Sequence, residues 1–160
     1  MKRFAIGIEF CGTRFKGWQT QQAGVRSIQE TLEQVLSKIA DEPIILHGAG
    51  RTDAGVHARN YYAHFDFEKG IPDVEKLTHQ LNAFLPEDIV IYRIMPVAND
   101  LHARFDAVAR TYHYYITRTK NPFHTHDAYF LYGDLDVKRM QEAANLLFEY
   151  VDFTSFSKVH

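Results

Sequence analysis

The sequence contains little cysteine and no long apolar run. Cys11 is the only cysteine among 160 residues, so an internal disulfide is excluded and a reducing compartment is expected. No stretch approaches the roughly 20 consecutive apolar residues of a membrane-spanning helix, and the N-terminus lacks the apolar segment of a signal peptide. We therefore expect a cytoplasmic protein with no membrane partner.

An excess of basic charge is absent as well. The formal net charge is −2 at pH 7, so any site for a polyanion such as a nucleic acid must be a local patch. What the chain does contain is 46% hydrophobic residues in a length that suits one domain, or one domain and part of another. Such a chain is long enough to bury a substantial core.

Alternating and helical apolar patterns predict the fold of the first hundred residues. Period-two alternation or short apolar runs predict strands at 4–10, 44–47, 61–67 and 89–95. Ser27 and Glu30 form a capping box before one helical stripe, and Asp73 caps a second helix. The order predicts an α+β fold, a ferredoxin-like β-α-β-β-α-β unit with an antiparallel sheet, over residues 1–100.

Residues 101–160 contain fewer predicted elements. The alternating run 110–117 predicts a strand, and the apolar spacing from Val137 to Leu147 predicts a helix capped by Asp134 or Asp136. One strand and one helix cannot close a core, because the edges of a sheet need partners. We therefore expect the beginning of a second, similar α/β unit, truncated here, with the natural chain continuing past His160.

The most distinctive segment is the glycine- and alanine-rich stretch 48–58, which holds Arg51 and Asp53 between two apolar runs. Small residues allow a sharp turn and the close approach of a ligand. Two interpretations remain open from the residues alone. Asp53 bonds its own backbone in a tight turn, or Arg51 and Asp53 face a ligand.

Three segments in this order resemble the tRNA pseudouridine synthase A family. Segment 17–21 begins Gly-Trp-Gln, segment 49–57 reads Ala-Gly-Arg-Thr-Asp-Ala-Gly-Val-His, and segment 102–114 begins His-Ala-Arg-Phe and ends Arg-Thr-Tyr-His-Tyr. The helix start 26–29 and the turn 82–86 also match. The chain departs from the family where the first strand ends, since it has Phe-Cys-Gly in place of a Tyr-Asp-Gly-like turn.

The resemblance implies two similar α/β halves with an active site in the cleft between them. It implies isomerisation of uridine to pseudouridine at positions 38 to 40 of the tRNA anticodon stem-loop, by an enzyme that acts as a homodimer. The reaction needs no redox partner or external donor, so no cofactor is expected. The alternative is a catalytically silent RNA-binding and dimerisation module, because later family motifs would lie beyond His160.

The resemblance also assigns site residues. Asp53 matches the catalytic aspartate, a carboxylate nucleophile, and Arg51 matches the residue that helps to extrude the target nucleotide. Tyr112 matches the tyrosine that stacks on the uracil, with ordinary strand packing as the alternative. His102 and Arg104, in the third segment, are predicted to bind substrate.

Two further predictions concern RNA and metals. Arg14, Lys16, Trp18 and Arg110 are predicted to line a basic, aromatic groove for RNA, with a solvated charged surface as the alternative for each. The cluster 124–127, which reads His-Thr-His-Asp, supplies too few defined ligands for a zinc site. We expect no metal, and the glycine spacing does not fit a dinucleotide-binding loop.

Overall fold

The computed structural model describes residues 1–22 and 24–156. The chain divides into a first unit, Met1–Thr111, and a second unit, Tyr112–His160. The sequence pattern placed the division at residue 100 instead. The predicted continuation past His160 lies outside the described residues.

Residues 101–111 belong with the first unit because hydrogen bonds tie them to its sheet. The guanidinium of Arg3 donates from Nη1 to the carbonyl of Leu101 at 2.9 Å. The backbone N–H of Ala103 donates to Nδ1 of His64 at 3.1 Å. The apolar pattern of the sequence carries no signal for bonds of this kind.

The first unit has the predicted α+β architecture. Its sheet has the order β2-β3-β1-β4, and every neighbouring pair is antiparallel. This is the strand order of a ferredoxin-like β-α-β-β-α-β unit, so the predicted fold class is confirmed. The elements are β1 (Lys2–Phe10), α1 (Ile28–Ala40), β2 (His47–Gly48), β3 (Ala58–Phe67), α2 (Val74–Phe84) and β4 (Ile89–Pro96).

One face of the sheet and the apolar stripes of the helices form the core. Ile6 and Ile8 of β1 are fully buried, as are Leu32 of α1 and Leu81 of α2. Phe65 of β3 joins the same cluster. Burial alternates at the start of β4, whereas residues 4–8 of β1 and 63–65 of β3 are buried without interruption, so both faces of the two central strands are partly covered.

The helices of the first unit begin where the sequence predicts. The hydroxyl of Ser27 accepts from the backbone N–H of Glu30, and the carboxylate of Asp73 accepts from that of Lys76. Each cap satisfies an N–H that has no partner within the helix. α1 ends at Asp41, whose φ of 55° lies in the left-handed region.

The predicted strand at 44–47 is wrong over most of its length. Only His47 belongs to β2, because the backbone before it bonds to side chains of α1. The N–H of Ile44 donates to Ser37 Oγ at 2.8 Å, and the N–H of Leu46 donates to Glu33 Oε1 at 2.8 Å. These bonds replace the strand ladder that the apolar run suggested.

Among the described residues of the second unit, the strands are only two residues long. β5 (Ile116–Thr117) and β6 (Tyr129–Phe130) make a parallel pair, followed by α3 (Val137–Leu146). The predicted strand over 110–117 is therefore confined to its last two residues. Among the described residues no strand pairs with 110–115, and without a ladder its backbone stays irregular.

The helix of the second unit confirms one of its two predicted caps. Asp136 accepts from the N–H of Arg139 at 3.0 Å, whereas the carboxylate of Asp134 pairs with Arg118. None of the described residues 112–156 is buried. No helix of the described chain has the length and apolar character to cross a membrane.

Candidate active site

The glycine-rich segment forms the connection between β2 and β3, and we call residues 49–57 the Arg51–Asp53 loop. Its start is fixed to the sheet, because the N–H of Ala49 donates to the carbonyl of Tyr62 at 2.8 Å. It then turns back on itself, since the N–H of Val56 donates to the carbonyl of Asp53 at 3.3 Å. Gly55 allows the turn with a φ of +82°.

A second loop, residues 12–18, holds the first one in place. The N–H of Trp18 donates to the carbonyl of Thr52 at 3.3 Å, and the N–H of Gly55 donates to the carbonyl of Phe15 at 3.2 Å. The two backbones touch because Gly17 has no side chain. A Cβ there would lie 2.3 Å from the carbonyl oxygen of Thr52.

The same close approach occurs at Gly12, where a Cβ would lie 2.0 Å from the carbonyl oxygen of Val56. Glycine at both positions lets backbone pack on backbone along residues 52–56 of the Arg51–Asp53 loop. The sequence pointed to Gly17 through its Gly-Trp-Gln segment, but it gave no sign of the role of Gly12.

Aromatic rings support the start of the loop. Trp18 and Tyr61 lie with ring centroids 4.3 Å apart. The hydroxyl of Tyr61 donates to the carbonyl of Gly50 at 2.5 Å and accepts from its N–H at 3.3 Å. A Cβ on Gly48 would lie 2.2 Å from that hydroxyl, so the rings occupy the space next to β2.

The side chains of Arg51 and Asp53 both face solvent. Arg51 donates from Nε to Oε1 of Gln19, the residue that follows the second loop, at 3.1 Å. Within the described chain, no side chain or backbone group bonds to the Asp53 carboxylate. Thr52, between them, points inward, and its buried hydroxyl has no protein partner among the described residues.

His102 and Arg104 lie on a turn that is closed by its own hydrogen bonds. Asp106 accepts from the N–H of His102 at 2.7 Å, and the N–H of Arg104 donates to His102 Nδ1 at 3.2 Å. The guanidinium of Arg104 stays exposed and lies 5.7 Å from the ring centre of Phe105. His102 itself is half-buried against His64, with ring centroids 4.7 Å apart.

His64 is the most buried member of a histidine cluster. Burial lowers its pKa to about 4, with further lowering from the positive charge of Arg3 and from His47 and His102. The neutral ring accepts the N–H of Ala103 at Nδ1, so it fastens the turn to β3. Arg3 also pairs with Asp66 at 2.8 Å, and this bond lowers the pKa of Asp66.

The nitrogens of His47, His64 and His102 lie within 4.8 Å of one another, a grouping that the sequence did not predict. They come from three distant segments, so no local spacing could have marked them. Nδ1 of His64 and of His102 each accepts a backbone N–H. Both Nδ1 atoms therefore contact the backbone, which leaves Nε2 as the other ring nitrogen of His64 and of His102.

Two of the residues predicted to bind RNA have other partners. The ring of Trp18 is 2% exposed and packs in the core, so the predicted RNA contact of Trp18 is wrong. Arg14 donates to Glu87 and Asp88, and these carboxylates hold its charge. The sequence did not predict that Arg14 pairs with Glu87 and Asp88, because these residues precede β4 and lie next to Arg14 only in the folded chain.

The other predicted residues lie in two different units. Arg110 donates to the carbonyls of Ala49 and Arg104, so part of its donor capacity is committed. Lys16 is exposed, and among the described residues its ammonium has no ion pair. Tyr112 belongs to the second unit, where its side chain is 66% exposed.

Comparison with known proteins identifies the sequence pattern. The sequence profile of the tRNA pseudouridine synthase family matches residues 6–106. The chain is 48% identical to a tRNA pseudouridine synthase A of Parabacteroides distasonis and 52% identical to one of Porphyromonas gingivalis, in both cases over its whole length. It is 58% identical over 146 residues, 90% of its length, to one of Acinetobacter baylyi. It spans 63%, 64% and 54% of these three relatives.

Proposed function

The chain belongs to the tRNA pseudouridine synthase family, and on that premise we propose that it supplies the catalytic loop for isomerising uridine to pseudouridine in the tRNA anticodon stem-loop. The activity, substrate and partners are proposed for the protein that contains this chain. One observation carries the proposal. Asp53 presents an exposed carboxylate, without a partner among the described residues, on a loop whose backbone a second loop holds in place.

The reaction balances without an oxidant, reductant or cofactor. The bond between uracil N1 and ribose C1′ breaks, the base turns, and a bond forms between C5 and C1′. The C5 proton leaves to solvent and N1 takes up a proton from solvent, so the product is an isomer of the substrate. The carboxylate of Asp53 is the proposed nucleophile. It acts either by attacking C1′ or by assisting a glycal-type intermediate.

Arg51 is proposed to fill the space that the target nucleotide leaves when it turns out of the RNA stack. Extruding a stacked base costs a few kcal/mol, and a planar guanidinium both stacks on bases and binds phosphate. The bond from Arg51 Nε to Gln19 directs the side chain, and among the described residues the two terminal nitrogens of Arg51 have no hydrogen-bond acceptor. Gln19 is therefore part of the proposed site.

The remaining contacts are proposed from family membership and exposure. Tyr112 stacks on the uracil, and His102 and Arg104 bind the substrate. Lys16 contacts RNA phosphate, since it is exposed and unpaired among the described residues. We propose that the protein acts in the cytoplasm as a homodimer on tRNA, without a cofactor or metal.

A second candidate is a catalytically silent RNA-binding and dimerisation module. The carboxylate of Asp53 has no basic partner within the described chain, and such a partner orients a nucleophile. We therefore expect the 160-residue chain alone not to turn over. Pseudouridine formation by this chain would contradict that expectation.

The test is tritium release from tRNA labelled at uridine C5, because isomerisation frees that hydrogen. The complete product of the gene is compared with its Asp53→Asn variant and with Glu75→Gln, which removes an exposed charge from α2. We expect release by the wild type and by Glu75→Gln but not by Asp53→Asn. Absence of release from the wild type would leave the silent RNA-binding module.

A salt titration tests RNA binding separately. Each phosphate contact lowers the logarithm of the affinity by about 0.7 to 0.9 per unit of log salt. Lys16→Met is expected to reduce the slope by about 0.7 to 0.9, the value for one phosphate contact. Arg14→Met is expected to leave the slope unchanged, because Arg14 is paired with Glu87 and Asp88. A flat curve for the wild type would argue against RNA binding.

A further inference from the structure

Arg110 bonds to backbone rather than to other charges. Its Nε and Nη2 donate to the carbonyl of Ala49 at 3.1 Å and 2.6 Å, and Nη2 also donates to the carbonyl of Arg104 at 2.6 Å. A guanidinium has five N–H donors in a fixed plane, so three of the five are committed here. The two carbonyls lie in segments that are far apart in the sequence.

The first carbonyl stands at the entrance of the Arg51–Asp53 loop. Ala49 follows β2 directly, and the next residue, Gly50, lies against the Arg110 side chain. A Cβ on Gly50 would be 3.4 Å from Nε of Arg110. The loop is thus held by Arg110 and Tyr61 where it begins and by the loop 12–18 further along.

The second carbonyl belongs to the closed turn that carries His102 and Arg104. The N–H of Asp106 donates to the carbonyl of His102 at 2.9 Å, and the Asp106 carboxylate accepts the N–H of His102. The turn is fixed within itself and fastened to β3 through His64, and the bond from Arg110 to Arg104 adds a direct link from the turn to the start of the Arg51–Asp53 loop. Arg110 therefore links two rigid segments through a single planar group.

We propose that Arg110 is a positioning residue for the proposed isomerisation, which sets the catalytic loop relative to the turn that bears Arg104. The inference rests on the proposed function and replaces the phosphate contact that the sequence suggested for Arg110. Lysine would be a poor substitute, because an ammonium is a single point donor and cannot reproduce the donors on two nitrogens.

The first test needs no turnover. In the 160-residue chain we compare Arg110→Met with Arg93→Met, a second exposed arginine of the first unit. Amide hydrogen exchange of Gly50, Gly55 and Val56, whose N–H groups are hydrogen-bonded, is expected to accelerate about tenfold or more in Arg110→Met alone. The salt dependence of RNA affinity is expected to stay as in the wild type.

A phosphate contact would give the opposite pattern. The salt slope would fall by about 0.7 to 0.9 in Arg110→Met, and exchange in the loop would not change. That pattern would overturn the proposal. Neither hydrogen exchange nor the salt slope requires turnover. The two measurements therefore test the role of Arg110 even if the complete gene product is inactive, and failure of the proposed function would be seen only in the tritium-release assay.

The second test is kinetic and uses the complete gene product. A misplacement of about 1 Å can lower a rate roughly 100-fold, so kcat of Arg110→Ala is expected to fall by about that factor while KM changes little. Millimolar guanidinium is expected to restore part of kcat in Arg110→Ala and none in Asp53→Asn. A rise in KM at unchanged kcat, or no rescue, would contradict positioning.

Discussion

The two units place the same kinds of side chain in opposite environments. Phe65 in the first unit is 1% exposed, whereas Phe123 and Phe148 in the second are each 90% exposed. Both units have helices with apolar stripes, but in the part of the chain that the structure describes a sheet of four strands lies against the helices of the first unit alone. An apolar pattern therefore produces a core only where a second layer covers it.

Truncating one leucine in each unit should give the largest contrast. Leu32 is fully buried and Leu146 is 53% exposed. Leu32→Ala is expected to lower the free energy of unfolding by about 2–5 kcal/mol, and Leu146→Ala by less than about 0.5 kcal/mol. Urea unfolding followed by fluorescence measures this, because Trp18 is the only tryptophan and lies in the first core. Equal losses of unfolding free energy in the two variants would contradict the difference in burial between the two units.

Glycines with positive φ provide the second contrast. Gly17→Ala is expected to cost about 2 kcal/mol or more, because it adds a clash with the Thr52 carbonyl to the strain of a left-handed residue. Gly24 has a similar φ with nothing within 4 Å, so Gly24→Ala should cost only about 1 kcal/mol. Gly133→Ala, in the second unit, should leave the Trp18 transition unmoved. A similar cost at Gly17 and Gly24 would disprove the backbone contact.

The third contrast is between a buried and an exposed histidine. His64 has a pKa of about 4 in the folded protein against about 6.5 in the unfolded chain. As pH falls from 7 to 4, the unfolded state binds the proton first, so stability should decline by on the order of 2 kcal/mol. Above the unfolded pKa this histidine contributes no pH dependence.

The measurement is the urea midpoint against pH for the wild type, His64→Asn and His113→Asn. Asparagine offers an acceptor for the N–H of Ala103 but does not titrate, so His64→Asn should lose the decline between pH 6.5 and 4. His113 is exposed in the second unit, and its replacement should preserve the decline. A decline that persists in His64→Asn would assign it to other groups, such as Asp66.

The smallest expected effect concerns two threonines. The buried hydroxyl of Thr52 has no protein partner among the described residues, so Thr52→Val should leave stability unchanged or raise it by up to about 1 kcal/mol. Thr154, in the second unit, donates its hydroxyl to Asp152 at 2.5 Å, and Thr154→Val should lose that local bond. Thermal unfolding detected by Trp18 fluorescence tests the first change. A clear loss of stability in Thr52→Val would indicate an ordered water on the hydroxyl.

The sequence predicted what depends on neighbours along the chain. The caps at Ser27 and Asp73 depend on residues three positions apart. The stripe of α1 and the strand alternation are periodic patterns within about ten residues. The family resemblance likewise located the loop with Arg51 and Asp53 from a contiguous segment of the sequence. These features therefore needed no knowledge of the fold.

What the sequence did not predict depends on partners across the fold. The segment before β2 bonds to Glu33 and Ser37 instead of a strand, and Arg14 meets Asp88 only after β4 has joined the sheet. The run 110–117 has the side chains of a strand but no ladder along most of it. Long-range pairing of this kind cannot be predicted from the local sequence of either partner.

The contacts of Gly12 and Gly17 limit how this site can be transplanted. The backbone around Asp53 takes its shape partly from a loop encoded about 40 residues earlier, since carbonyls of one rest against glycines of the other. Grafting residues 49–57 alone into another scaffold would transfer their sequence but not their conformation. The portable module is the pair of loops with Tyr61, and its parts must be inherited, exchanged or redesigned together.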